Sequence, residues 1–184
     1  LEAGLDDAIS GAVADGATVL ELAPLLDPHP FADGEGLDPH VWLDPVRMAS
    51  AADMVADALT ELDPDAGFSD RGAAYSADLL SADATIRELL SPISEDRRLL
   101  VTNHEAFGYF ASRYGFTVVG VVIPGGSTLA EPSSAELAAL VAVIRDRGVP
   151  AIFAETTQPT ALADAVAAEA GTAIAVIELY SESL

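Results

Sequence analysis

The sequence predicts an α/β fold built on a parallel sheet, and three features of its 184 residues point there. From residue 99 onward, short apolar runs alternate with segments of helical period, the pattern of buried parallel strands covered by helices on both faces. Upstream, two long amphipathic helices follow one another with no strand between them, so the second is free to connect two lobes. With 51% hydrophobic residues, the chain can bury a sizeable core as one domain or two small lobes.

Leu5 to Val13 reads as a short helix and the apolar run Thr18 to Leu22 as a strand. DPHPFADGEGLDPH, dense in Pro, Gly and Asp, is a loop. Asp44-Pro45 then supplies an N-cap followed by proline at the first helical position. Met48, Ala51, Val55, Ala58/Leu59 and Leu62 recur at the helical period, and Asp63-Pro64 ends that helix. The second long helix runs from about Asp70 to Leu90, with Tyr75, Leu79, Ala82, Ile86 and Leu89/Leu90 on one face.

The alternation follows. Leu99 to Thr102 is a strand, Glu105 to Tyr114 a helix stopped by Gly115, and Phe116 to Ile123 a strand. Ser133-Ser134-Ala135-Glu136 has the form of a capping box, opening a helix with Leu137, Leu140, Val141 and Ile144 inward. Gly148 and Pro150 terminate it. Ala151 to Ala154 is a strand, Pro159 to Ala170 a helix ended by Gly171, and Ile174 to Ile177 a strand.

Charge and composition narrow the partners. Thirty Asp+Glu stand against eight basic residues, all arginine, for a formal net charge of −22. Such a surface repels nucleic acid and anionic lipid. The absence of cysteine excludes a disulfide framework, a thiolate zinc site and a cysteine nucleophile. No run of 18 or more apolar residues escapes a charge or a Pro/Gly break, so no transmembrane helix is expected. The opening LEAGLDDAISGAV has no basic region ahead of an apolar one, so no signal peptide is expected.

The three histidines are the residues that could carry chemistry. His40 sits in DPHVWLDP, a loop before a capped helix; His29 sits in the preceding loop, DPHP; His104 sits in TNHEAFGYF at a strand-to-helix junction. Ligands of open parallel sheets collect outside the carboxyl ends of strands, where His104 falls. With Asn103 as N-cap, the helix dipole would favour the neutral imidazole that a metal requires. Glu182, in YSESL, also follows a strand end. Two neutral imidazoles and a carboxylate form a nitrogen and oxygen donor set suited to zinc.

Enzyme templates are absent from the sequence. Gly108 stands where a zincin would carry its second histidine after His104-Glu105. There is no G-x-S-x-G elbow, Walker A loop or G-x-G-x-x-G fingerprint. Pro124-Gly125-Gly126-Ser127 reads as a loop, and Trp42, Phe107, Tyr109 and Phe110 as core and loop packing.

DPHVWLDP around His40, TNHEAFGYFASRYGF around His104, AEPSSAELAALVAVIRDRGVPAIFAETTQP and the closing LYSESL together resemble the metal-binding receptors of zinc and manganese ABC importers. The match is collinear from Leu1 onward. The resemblance implies two α/β lobes with parallel sheets, joined by a single long helix, with the metal site in the cleft between lobes. Residues 1–69 would then be the remainder of the N-terminal lobe, 70–91 the linking helix, and 92–184 the C-terminal α/β lobe.

The family has four metal ligands. The second matches His40 and the third His104, where zinc receptors carry His and manganese receptors commonly Glu. The fourth, an aspartate in a motif like YSDSL, is replaced here by Glu182, one methylene longer. The first, a histidine, would lie upstream of Leu1, so the sequence is expected to be truncated at both ends, lacking also the family's last helix. His29 occupies a shortened version of the family's His- and Asp-rich loop, as a residue of metal capture rather than a site ligand. Glu155 is a candidate to orient a histidine from behind.

The resemblance thus implies an extracytoplasmic, monomeric zinc receptor, periplasmic or lipid-anchored. It would capture Zn2+ as transported ligand, deliver it to an ABC transporter permease, and catalyse nothing. The alternatives are a manganese or iron receptor of the same family, a metal-dependent hydrolase using Glu105 or Glu155 as base, and a cell-surface adhesin.

Overall fold

A computed structural model of the chain describes residues 18–31, 34, 36–124, 132–156, 159–171 and 174–180. These fall into two compact units, drawn from Leu1–Pro30 with Gly36–Pro92 and from Phe31–Glu35 with Ile93–Leu184. The expected helix Leu5 to Val13, the Pro124 to Ser127 loop beyond its first residue, and Glu182 lie outside the described residues.

The first unit is dominated by a helical hairpin. Helix α1 (Pro45–Leu62) opens on Asp44, whose carboxylate accepts from Val46 N at 3.0 Å, with Pro45 in the first turn as the sequence requires. Helix α2 (Phe68–Leu90) starts earlier than expected, after Gly67 in the left-handed region (φ 68°). The buried stripe of α2 passes through Ser76 and Asp83, seven apart, and Ser76 Oγ donates to Asp53 of α1 at 3.3 Å. Tyr75 (57% exposed) and Leu89 (71%), both expected on the inward face, lie off that stripe.

Small residues cause the rotation. A Cβ built on Gly72 would lie 2.3 Å from Cβ of Ala56, so the helices meet where neither carries bulk. The larger apolar groups flank the contact instead: Leu22, Met48, Val55, Leu59, Phe68 and Tyr75 line an open groove of about 450 Å³. The expected strand Thr18 to Leu22 is not one. It is irregular, with Val19 and Leu20 exposed, and leads into a 3-10 turn at Ala23–Leu25. An apolar run becomes a strand only beside a partner that takes its backbone groups, and no described strand lies next to it.

The second unit carries the predicted sheet. Strands β1 (Leu99–Thr102), β2 (Thr117–Val121), β3 (Ala151–Glu155) and β4 (Ala175–Leu179) are all parallel, in the order β2-β1-β3-β4. They are linked by α3 (Gly108–Tyr114), α4 (Ser134–Arg147) and α5 (Ala161–Ala170). Val101, Ile152 and Ala154 of the sheet pack with Leu140, Val141 and Ile144 of α4 and Val166 and Ala167 of α5 to form the core. Gly120 of β2 admits Leu140, whose Cδ1 would stand 2.4 Å from an added Cβ. Gly115 and Gly148 end α3 and α4 in the left-handed conformation (φ 70° and 64°), as expected of helix C-termini.

The capping box at α4 is present in both halves: Glu136 N donates to Ser133 Oγ at 3.3 Å, and Ser133 N donates to Glu136 Oε2 at 2.7 Å. Hydrogen bonds from the Ser133 side chain and backbone hold the Glu136 carboxyl below the usual carboxylate range. Ser133→Ala is expected to destabilise the fold by about 1 kcal/mol. The share owed to ionised Glu136 is present above the ordinary glutamate value and lost as pH falls through the lowered one. Melting curves of Ser133→Ala and the unsubstituted chain should therefore converge partway as the pH is lowered into that window.

The order in which strands are added across the sheet reverses at β1. The chain moves from β1 outward to β2, then returns past β1 to β3. The carboxyl ends of β1 and β3 therefore flank a topological switch point, where open α/β sheets leave a crevice for ligands.

Candidate metal centre

His40 belongs to the first unit and is 2% exposed. Its backbone N–H donates to Asp38 Oδ1 at 2.9 Å, and its ring Nδ1 lies 2.6 Å from the same oxygen. Pro39 between them limits the backbone freedom of that turn. Asp38 is itself buried, and its N–H donates to His29 O at 2.8 Å. After His40 the chain makes a 3-10 turn, Val41–Leu43, and then reaches the Asp44 cap of α1. Trp42 lies edge-on to the imidazole, with ring centroids 5.3 Å apart.

His104 belongs to the second unit, two residues past the end of β1, and is also 2% exposed. Its carbonyl accepts from Thr102 Oγ1 at 2.7 Å and from Ala106 N at 3.0 Å, which closes a tight turn. Consequently the following helix begins at Gly108 rather than Glu105, with Phe107 as its N-cap. Asn103 is not a cap, and the ring of His104 is oriented by a carboxylate rather than by a helix end. His104 Nδ1 is hydrogen-bonded to Oε2 of Glu155, the last residue of β3, which is wholly buried. The switch point thus brings together His104 and the glutamate marked in the sequence as a possible orienting partner.

The two histidines share one chemistry. A carboxylate that accepts from Nδ1 places the proton there, and in the neutral ring that arrangement leaves the lone pair on Nε2. A carboxylate behind Nδ1 fixes the tautomer and ring plane and raises the basicity of Nε2, the arrangement usual for histidines that bind metal. Asp38 was not singled out from the sequence, although it stands in the quoted DPHVWLDP motif. The same tripeptide at Asp27-Pro28-His29 explains why spacing alone does not identify it. There Arg47 intervenes, with Nη2 2.8 Å from His29 Nε2 and 3.3 Å from Asp27 Oδ2. A guanidinium facing that nitrogen opposes a dication there.

Within neither unit, among the described residues, do three His, Asp or Glu side chains gather as a metal-holding group. Each described candidate histidine instead comes with its own carboxylate.

The sequence profile of the family described as zinc-uptake complex component A, periplasmic, matches residues 1–184. Manganese-binding lipoprotein MntA of Halalkalibacterium halodurans is 30% identical over 168 residues, which cover 90% of this chain and 55% of that protein. Zinc-binding protein TroA of Treponema pallidum is 38% identical over 153 residues, covering 80% of this chain and 49% of that protein. The chain therefore spans about half the length of these relatives. The solved structure of periplasmic zinc-binding protein TroA from Treponema pallidum superimposes with a TM-score of 0.85 at 29% identity, over 96% of this chain and 66% of that one. None of the described helices is long and apolar enough to cross a membrane.

Proposed function

The chain belongs to the zinc-uptake complex component A periplasmic family, and from that premise we propose that it is part of an extracytoplasmic receptor that captures Zn2+ and hands it to an ABC transporter permease. The observation that carries the reading is the buried pairing of His104 with Glu155 at the switch point of the sheet. The ligands are Nε2 of His40, Nε2 of His104 and the Glu182 carboxylate, and the 70–91 segment links the two lobes. Capture is reversible: neutral imidazoles and a carboxylate exchange for the water around the ion, and no bond is made or broken in a substrate. The protein is a carrier and not an enzyme.

Imidazole at position 104 favours zinc over harder, oxygen-seeking ions. Manganese is the second reading, favoured by the relative named as a manganese-binding lipoprotein. Calorimetric titration of the metal-free protein with zinc and then with manganese separates them. One-to-one zinc binding at least tenfold tighter than manganese supports the zinc receptor, and the reverse order assigns manganese. The titration is run on this chain and on a longer chain with its relatives' additional length; specific binding by neither overturns the receptor reading.

A further inference from the structure

Asn103 stands where β1 stops pairing regularly. Its N–H donates to Phe153 O of β3 at 3.0 Å, while its carbonyl accepts from Ile123 N at 2.8 Å, on the β2 side. In a regular parallel ladder, a residue whose N–H reaches one neighbouring strand sends its carbonyl to that strand too, two residues further on. The ladder bond left unmade is therefore the one from Glu155 N of β3 to the Asn103 carbonyl. The Asn103 side chain supplies it: Oδ1 accepts from Glu155 N at 3.3 Å, with both residues buried. A side-chain amide replaces a backbone carbonyl that has turned away, and β3 continues as far as Glu155.

A cost accompanies this arrangement. Among the described residues Asn103 Nδ2 is buried with no hydrogen-bond partner, a state that folded proteins seldom tolerate without a reason. Leucine at 103 would remove the orphan donor but also the acceptor. Aspartate would keep the acceptor but bury another negative charge beside Glu155. We propose that Asn103 is a positioning residue of the metal site: its Oδ1 holds the Glu155 backbone so that the carboxylate meets His104 Nδ1 and leaves the lone pair on Nε2. On the opposite side Glu155 is held by β4, where it is in register with Leu179. Asn103 thus supplies a hold on the β1 side, next to the histidine it serves.

The inference rests on His104 being a metal ligand, and the test separates the two. In the metal-free protein, 15N shifts of the His104 ring report which nitrogen carries the proton. The unsubstituted chain is expected to show the Nδ1–H form. Asn103→Ala is expected to mix the two tautomers and to weaken zinc binding about tenfold, the lower end of the effect of losing a partner behind a ligand. Should Asn103→Ala fail to fold by circular dichroism, Asn103→Ser, whose hydroxyl is too short to reach Glu155 N, takes its place. An unchanged His104 signature in the folded Ala or Ser variant overturns the inference. Zinc binding unaltered by His104→Ala overturns the metal reading of His104 instead, while the ring shifts still decide what Asn103 holds.

Discussion

Replacing His104 by alanine is expected to weaken zinc binding by more than about 100-fold, and replacing Glu155 by glutamine by about 10- to 100-fold. The order matters more than either value. If His104 binds the ion directly, its loss removes a ligand, whereas Glu155→Gln leaves the ligand and removes only the charge behind it. A glutamine amide of nearly the same volume still offers an oxygen to Nδ1, so the ring keeps its place but Nε2 becomes a weaker base. A 100-fold loss corresponds to about 2.7 kcal/mol, well within calorimetric reach. Equal losses in the two variants would mean that Glu155 itself ligates the ion, and a larger loss in Glu155→Gln would invert the assignment.

Gly72→Ala should lower the unfolding free energy by about 1–3 kcal/mol, the usual effect of overpacking. Helix propensity alone predicts the opposite sign, because alanine is about 1 kcal/mol better than glycine inside a helix. Sterics win here. The new Cβ would lie 2.3 Å from Ala56 Cβ, and both atoms are fixed to helix backbones, so neither can rotate away. Carbon atoms pack at about 3.5–4.0 Å, which requires α1 and α2 to separate along the contact that joins them. Gly120→Ala also meets a close neighbour, but that is the end of the Leu140 side chain, which has rotamers to try. Its loss should be the smaller of the two. Denaturant midpoints of the variants settle the ranking, and a Gly72→Ala protein as stable as the parent would refute the tight hairpin.

Much of the second unit was legible because its signals are local. Val101 and Ile152 lie in short apolar runs, Gly115 and Gly148 mark helix ends, and Ser133 with Glu136 spells a capping box; each acts within a few residues of itself. The same holds for Asp44-Pro45 at the start of α1. The misreadings share the opposite property. Thr18 to Leu22 has the composition of a strand but no described strand beside it, and apolarity alone puts Tyr75 and Leu89 on the inner face of α2, whereas the missing side chain at Gly72 sets the contact elsewhere.

By itself the sequence determined the parallel α/β class, the family, and His40 and His104 as the residues to watch, since these depend on residue type and order along the chain. Tertiary structure decided what stands behind each imidazole. Asp38 reaches His40 across one proline, Arg47 takes the same tripeptide at His29, and Glu155 meets His104 from 51 residues away. A hydrogen bond depends on distance and direction in space, and two DPH tripeptides identical in sequence acquire different partners once the chain has folded around them.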